Sequence, residues 1–283
     1  MTKKIAFLCA ALFPLLAVAN VRLPAVLGSN MVLQQQSTVK LWGWSAPAER
    51  ILVTTSWNNK TDTVVGTRDA NWQLTVQTPA AGGPYTITFK GYNTVVLENI
   101  LIGEVWVCSG QSNMEWSYNH KLKDIADELP TAANPNIRFF QITKATSTSP
   151  QDDCEASWVP CDSNTLKSFS AVGYFFGKKL NKDLNIPIGL INSSWSGTPA
   201  EVWANPEAIE NNAVVKEAAT KISPAAWWPY LPGRAYNAMI APITDFAIAG
   251  AIWYQGEGNT AIPNTYGQSL RSEEHTSELQ SPI

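Results

Sequence analysis

Three short apolar runs, Ile102–Cys108, Ile186–Ile191 and Ala249–Tyr254, each stop at a cluster of small and polar residues, and this repeated ending is the strongest constraint on the fold. The clusters are Gly110-Gln111-Ser112-Asn113-Met114, Asn192-Ser193-Ser194-Trp195-Ser196-Gly197 and Gln255-Gly256-Glu257-Gly258-Asn259. Before the second run, Val172, Phe175, Phe176, Leu180 and Leu184 fall at helical spacing, which predicts an amphipathic helix over Ser170–Leu184, ended by Pro187. Strands alternating with helices predict a parallel sheet. In such a sheet all three polar clusters lie along one edge, where the ligand sites of open α/β sheets form.

The chain from Val21 to about Asn99 reads differently. Val39–Trp44, Ile51–Thr55, Trp72–Val76 and Tyr85–Phe89 are β-rich and several alternate with period two. Ala46-Pro47, Asn58-Asn59, Asp69-Ala70-Asn71 and Ala81-Gly82-Gly83-Pro84 supply turns between them. A small all-β sandwich with its own core is expected over residues 20–99, followed by an α/β unit over 100–270. Residues 1–19 read as a signal peptide, with Lys3 and Lys4, an apolar stretch from Ile5 to Leu16, and the Ala17-Val18-Ala19 cleavage signature. That run is too short for a membrane span, so a periplasmic or secreted protein is expected. After Leu270 the composition changes abruptly, and the string over 271–283 looks like translated sequencing-adapter read-through, a non-native tail set aside from the fold.

A net charge of −3 offers nothing to nucleic acid or an anionic membrane surface. No His/Cys cluster has zinc spacing, and neither a metal nor a cofactor is expected. Of the four cysteines, Cys9 lies in the signal segment, and Cys154 and Cys161 flank a short polar loop suited to a disulfide in an exported protein. Cys108 suits a buried small hydrophobe.

Ser112 follows the first strand and has two readings: a nucleophile lifted out of the sheet, or the N-cap of a following helix. Met114 stands where G-x-S-x-G has its second glycine, so an ordinary α/β-hydrolase elbow is not supported. A serine attacking an ester carbonyl needs preorganised donors around the developing oxyanion. The N–H groups of Ser112 and Gly197, with the Gln255 or Asn259 amide, are candidates for them, although Gly197 before Thr198-Pro199 also reads as a plain turn residue. Glu257 is expected to brace its loop rather than act as a catalytic acid.

The blocks Gly103–Trp116, Ser193–Trp203 and Trp253–Asn259 together resemble the sialate O-acetylesterases, a branch of the SGNH/GDSL hydrolase superfamily. The resemblance runs from about Val21 to Leu270. It implies a β-sandwich followed by a flavodoxin-like three-layer α/β/α domain. It also implies hydrolysis of acetyl esters on sugars, with sialic acid O-acetyl groups the leading substrate. By matching position, Ser112 is the nucleophile, Gly197 an oxyanion N–H donor and Gln255 the side-chain donor, with Asn259 the second choice. Most of the 12 tryptophans are expected in the core, with Trp116 and Trp195 as pocket walls suited to pyranose faces. Arg234 either meets a sialic acid carboxylate bidentately or makes a surface salt bridge.

A base for Ser112 is missing from this picture. The chain has two histidines, His120 and His275. If helix continues past the turn, His120 lies about 12 Å along it from Ser112, out of reach. His275 lies in the tail, whose sequence does not match the family's Asp-x-x-His block. The chain as written is therefore expected to be inactive. Two rival readings are an acetyl-xylan or other plant-polysaccharide esterase, and a non-catalytic exported glycan-binding protein.

Overall fold

The computed structural model describes residues 20–274, with side chains to 271; residues 1–19, expected as a signal peptide, and His275 lie outside the described residues. The strands are β1 (Val32–Gln34), β2 (Thr38–Trp44), β3 (Arg50–Thr55), β4 (Lys60–Val65), β5 (Asn71–Gln77), β6 (Gly82–Lys90), β7 (Thr94–Gly110), β8 (Asn134–Gln141), β9 (Trp158–Cys161), β10 (Ile188–Ser194) and β11 (Gly250–Tyr254). The helices are α1 (Ser112–Glu115), α2 (Lys123–Glu128), α3 (Ala171–Leu184), α4 (Pro206–Glu210), α5 (Ala213–Ala219) and α6 (Tyr266–Glu274).

β7 is the beam of the molecule. Its first half pairs antiparallel with β6, and its second half pairs parallel with β10 on one side and β11 on the other. β8 extends the parallel set beyond β10, and β9 closes that edge antiparallel. The expected parallel sheet is thus present inside a mixed sheet. Period-two alternation sends its side chains to opposite faces: Val105, Val107, Phe140 and Ile191 join one core, while Cys108, Phe139, Ile188 and Leu190 join another beneath α3. Helix α3 starts where its spacing predicted, because the Ser170 hydroxyl accepts a hydrogen bond from the Gly173 N–H at 3.0 Å and caps it.

The N-terminal strands form a sandwich, β2 and β5 facing β3, β4 and β6. Its core is not its own, however. Val39, Leu41, Trp72 and Phe89 belong to the same buried cluster as Val105, Phe140 and Ile191. The reason is β7, which runs unbroken through residues 99 and 100 and carries one apolar face across both regions.

Two further expectations are corrected. β10 continues past Ile191 to Ser194, and all seven of its residues are buried. Its polar end is tolerated because each side chain is paired: Asn192 donates to Gln141 Oε1, Ser194 to Asn192 Oδ1, and Ser193 to the Met239 carbonyl. Cys154 and Cys161 do not form a disulfide; both are free. They sit on opposite sides of the sheet, Cys154 against the cluster shared with the sandwich and Cys161 inside the one beneath α3. Burial pushes both thiols, and that of Cys108, up to about 12, so all three stay protonated and unreactive.

Candidate functional site

Register brings the three polar clusters together. Gly110 on β7 is level with Ser194 on β10 and with Tyr254 on β11, so Ser112, Gly197 and Gln255 all leave the sheet at one edge. Two bonds continue the pairing past the strands: Trp195 N–H to the Gly110 carbonyl, and Gln111 N–H to the Tyr254 carbonyl, both at 3.0 Å. A Cβ on Gly110 would sit 2.2 Å from the Tyr254 oxygen, and its φ of +132° favours glycine as well. The strand therefore turns sharply here, and Ser112 opens the one-turn helix α1.

Among the described residues, the backbone N–H groups of Ser112 and Gly197 have no hydrogen-bond partner. Buried or half-buried N–H groups rarely stay unpaired. Gly197, at φ +81°, is held against the Trp228 ring, which a Cβ would meet at 2.5 Å. The neighbouring Ser196 N–H donates to Glu115 Oε2 at 2.6 Å.

Glu115 is itself held on two sides, since Lys144 Nζ lies 2.6 Å from Oε1. Burial alone would raise its carboxyl, but the hydrogen bonds from Lys144 and Ser196, with the Lys144 charge, outweigh it and leave Glu115 below the usual carboxylate range.

The amides expected to face the oxyanion point elsewhere. Gln255 Nε2 donates to the Thr198 carbonyl (3.2 Å) and to Asn259 Oδ1 (2.7 Å), while its Oε1 is buried without a partner. Asn259 is buried, donates to Glu201 Oε2 (2.8 Å) and accepts from the Ala200 N–H (2.8 Å). Both side chains thereby pin the segment that follows Gly197.

The amide beside the serine belongs to Gln111, whose Nε2 lies 3.5 Å from Ser112 Oγ and 3.3 Å from Glu257 Oε2. Its Oε1 accepts from the Gly256 and Gly258 N–H groups. Glu257 also accepts from Asn113 at 3.4 Å. It braces the serine turn against the loop after β11, as its loop-bracing reading expected.

Two clefts open beside this edge. One, of about 390 Å³, is lined by Gln111, Gly197, Pro199, Lys221, Trp228 and Glu257 among others. The other, of about 350 Å³, is lined by Gln111, Asn113, Tyr254, Gln255 and Glu257. Neither includes Trp116, Trp195 or Arg234 in its wall. Trp116 is exposed at the end of α1, and Trp195 lies under Lys144, 5.7 Å from its ring centre. Arg234 has no ion pair among the described residues, and its carbonyl accepts from the Ser147 N–H. Trp228, Gln111 and Glu201 are the residues that sequence reasoning missed. Gln111 stood next to the serine, and its amide was the available signal.

His120 is not on a helix continuous with Ser112, because α1 ends at Glu115 and His120 ends a separate 3₁₀ turn. The helical offset expected for it does not apply. Its Nδ1 accepts from the Ser117 N–H at 3.1 Å, and its Nε2 faces Glu115 at 3.9 Å. Among the described residues no group of three or more His, Cys, Asp or Glu side chains is placed to hold a metal ion.

The family profile described as a carbohydrate esterase, sialic acid-specific acetylesterase, matches residues 102–274. The human sialate O-acetylesterase is 30% identical over 256 residues, covering 84% of this chain and 49% of that protein. The orangutan (Pongo abelii) enzyme gives the same values, and the mouse one is 28% identical over 281 residues. A solved structure, described as a novel carbohydrate acetylesterase from Xanthomonas citri, superposes with a TM-score of 0.81 at 31% identity, covering 91% of this chain and 57% of that one. The chain thus spans about half the length of the curated relatives it matches.

Proposed function

The chain belongs to the sialic acid-specific carbohydrate acetylesterase family, and from that premise we propose that Ser112 is the nucleophile of an enzyme that removes O-acetyl groups from sugars. The observation that carries the reading is the pair of unpartnered N–H groups, on Ser112 and Gly197, at the edge where three parallel strands end. Ser112 Oγ adds to the acetyl carbonyl, the two N–H groups receive the developing oxyanion, and the sugar leaves as an alcohol. Water then hydrolyses the acetyl-serine. Gln255 and Asn259 act at one remove, by fixing the loop that presents Gly197.

The Ser112 proton needs a base. His120 is engaged by Ser117, and an Asp-x-x-His block is not found in these 283 residues. We therefore expect the 283-residue polypeptide by itself to turn esters over slowly. The leading substrate is an O-acetylated sialic acid, in keeping with the names of the curated relatives, with the 9-O ester as the position to test first. The similarity to the X. citri carbohydrate acetylesterase favours a second reading, deacetylation of other sugars such as acetylated xylan.

Among the described residues no helix is long and apolar enough to cross a membrane. The test measures p-nitrophenyl acetate, 9-O-acetyl sialic acid and acetylated xylan hydrolysis by this chain and by a polypeptide carrying its genomic continuation. Loss of at least about 10³-fold with Ser112→Ala is expected wherever turnover is fast. Fast turnover that survives the substitution would remove Ser112 from the mechanism.

A further inference from the structure

The outer face of β2 departs from the usual polar alternation. Val39, Leu41 and Gly43 are buried, so Lys40, Trp42 and Trp44 share the opposite face. Across the ladder, Gln73 of β5 stands opposite Trp42, and Asn71 opposite Trp44. An antiparallel sheet ordinarily shows polar residues on its solvent side. Here two half-buried indoles take that place beside two amides, Trp42 packing in part against the shared core.

A cleft of about 370 Å³ lies over this face, walled on its far side by Gln151, Asp152 and the Ala241–Asp245 segment. Lys40 Nζ pairs with Asp245 Oδ1 at 2.5 Å and ties the two walls together. Among the described residues, neither the Trp42 nor the Trp44 indole N–H has a hydrogen-bond partner, and neither does the Gln73 amide or the Asp152 carboxylate. The Arg22 guanidinium covers Trp44 at 5.2 Å from its ring centre. The cleft thus offers flat apolar rings edged by free donors and acceptors, at a volume typical of ligand sites.

We propose that this cleft binds a neutral glycan chain, at a site separate from the Ser112 edge. A pyranose presents an apolar C–H face to an aromatic ring and a rim of hydroxyls to amides and carboxylates. With Asp245 neutralised by Lys40, the Asp152 carboxylate is the unpaired charge in the cleft wall, and it disfavours an anionic sugar by like charge, so the occupant is a neutral pyranose oligomer rather than a sialic acid. The proposal does not depend on the esterase reading, because binding is measured with the nucleophile removed.

The experiment titrates the Ser112→Ala chain by calorimetry with xylohexaose, cellohexaose and 3′-sialyllactose. At least one neutral hexasaccharide should bind with Kd of about 1 mM or tighter. Gln73→Ala and Trp44→Ala should each weaken it about tenfold or more, equivalent to about 1.4 kcal/mol. Gln73 is exposed, so that variant should melt like its parent and report on binding alone. The proposal is overturned by no neutral binding up to about 10 mM, by binding indifferent to both substitutions, or by sialyllactose binding as tightly as the neutral chains.

Discussion

Gly197 is a glycine for two separable reasons, its φ of +81° and the Trp228 ring 2.5 Å from where a Cβ would stand. Gly197→Ala should therefore lose about 1–3 kcal/mol of stability. Adding Trp228→Ala should recover the steric share and leave the backbone share, so urea denaturation of the two singles and the double resolves them. A Gly197→Ala variant as stable as its parent would contradict both reasons. The sequence showed the glycine but not the ring, because Trp228 arrives from 31 residues away with no local spacing to announce it. The same limit hid where Gln255 donates: its amide type was visible, its commitment to Thr198 and Asn259 was not.

Glu115 gives a pH test at this scale. Its folded carboxyl lies below the ordinary value of 4.5, so the stability it adds is fully present above pH 4.5 and is lost as pH falls through the depressed folded value. Glu115→Gln should be less stable than its parent at pH 7, and the gap should narrow in denaturation curves taken below pH 4. A gap unchanged by acid would mean the carboxylate charge is not what holds Ser196.

At the scale of elements, the apolar runs predicted strands well and their ends poorly. β7 and β10 both outrun the predicted Cys108 and Ile191 into polar residues, because neighbouring strands and loops pair those side chains and remove the usual cost of burying them. β8 lies in a stretch with few regular signals in the sequence: it opens on Asn134, Pro135 and Asn136, yet Ile137, Phe139 and Phe140 divide between the two faces of the sheet beside β10. Helix α3 was legible in its extent, since its spacing and the serine before it are both local signals, but not in its buried face: Val172, Phe175 and Leu184 of the predicted stripe are exposed, and Ala171, Gly173, Tyr174 and Gly177 are the buried residues instead. Its cap also supports the site, because Ser170 Oγ contacts Met114 Sδ of α1 at 3.5 Å. Ser170→Ala should cost about 1 kcal/mol in urea denaturation, the usual loss for an N-cap. No measurable cost would show that α3 is held by packing alone.

The whole molecule is tied by β7, which pairs with β6 and β1 in the sandwich, forms the centre of the parallel sheet and supports Ser112. A change of sequence pattern near Asn99 marked where strand-rich chain gives way to alternating strand and helix. Pattern alone cannot show that one strand crosses that point, since each half of β7 is by itself a strand of ordinary length. The consequence is thermodynamic. With Val39, Phe89, Val105 and Phe140 in one buried cluster, removing the sandwich uncovers an apolar face of the parallel sheet rather than a polar boundary. Calorimetry should therefore show a single cooperative transition, and a fragment comprising residues 100–283 should be molten or insoluble. Two resolved transitions, or a fragment with native near-ultraviolet circular dichroism, would mean that the two regions stand independently and that the shared cluster contributes little to either.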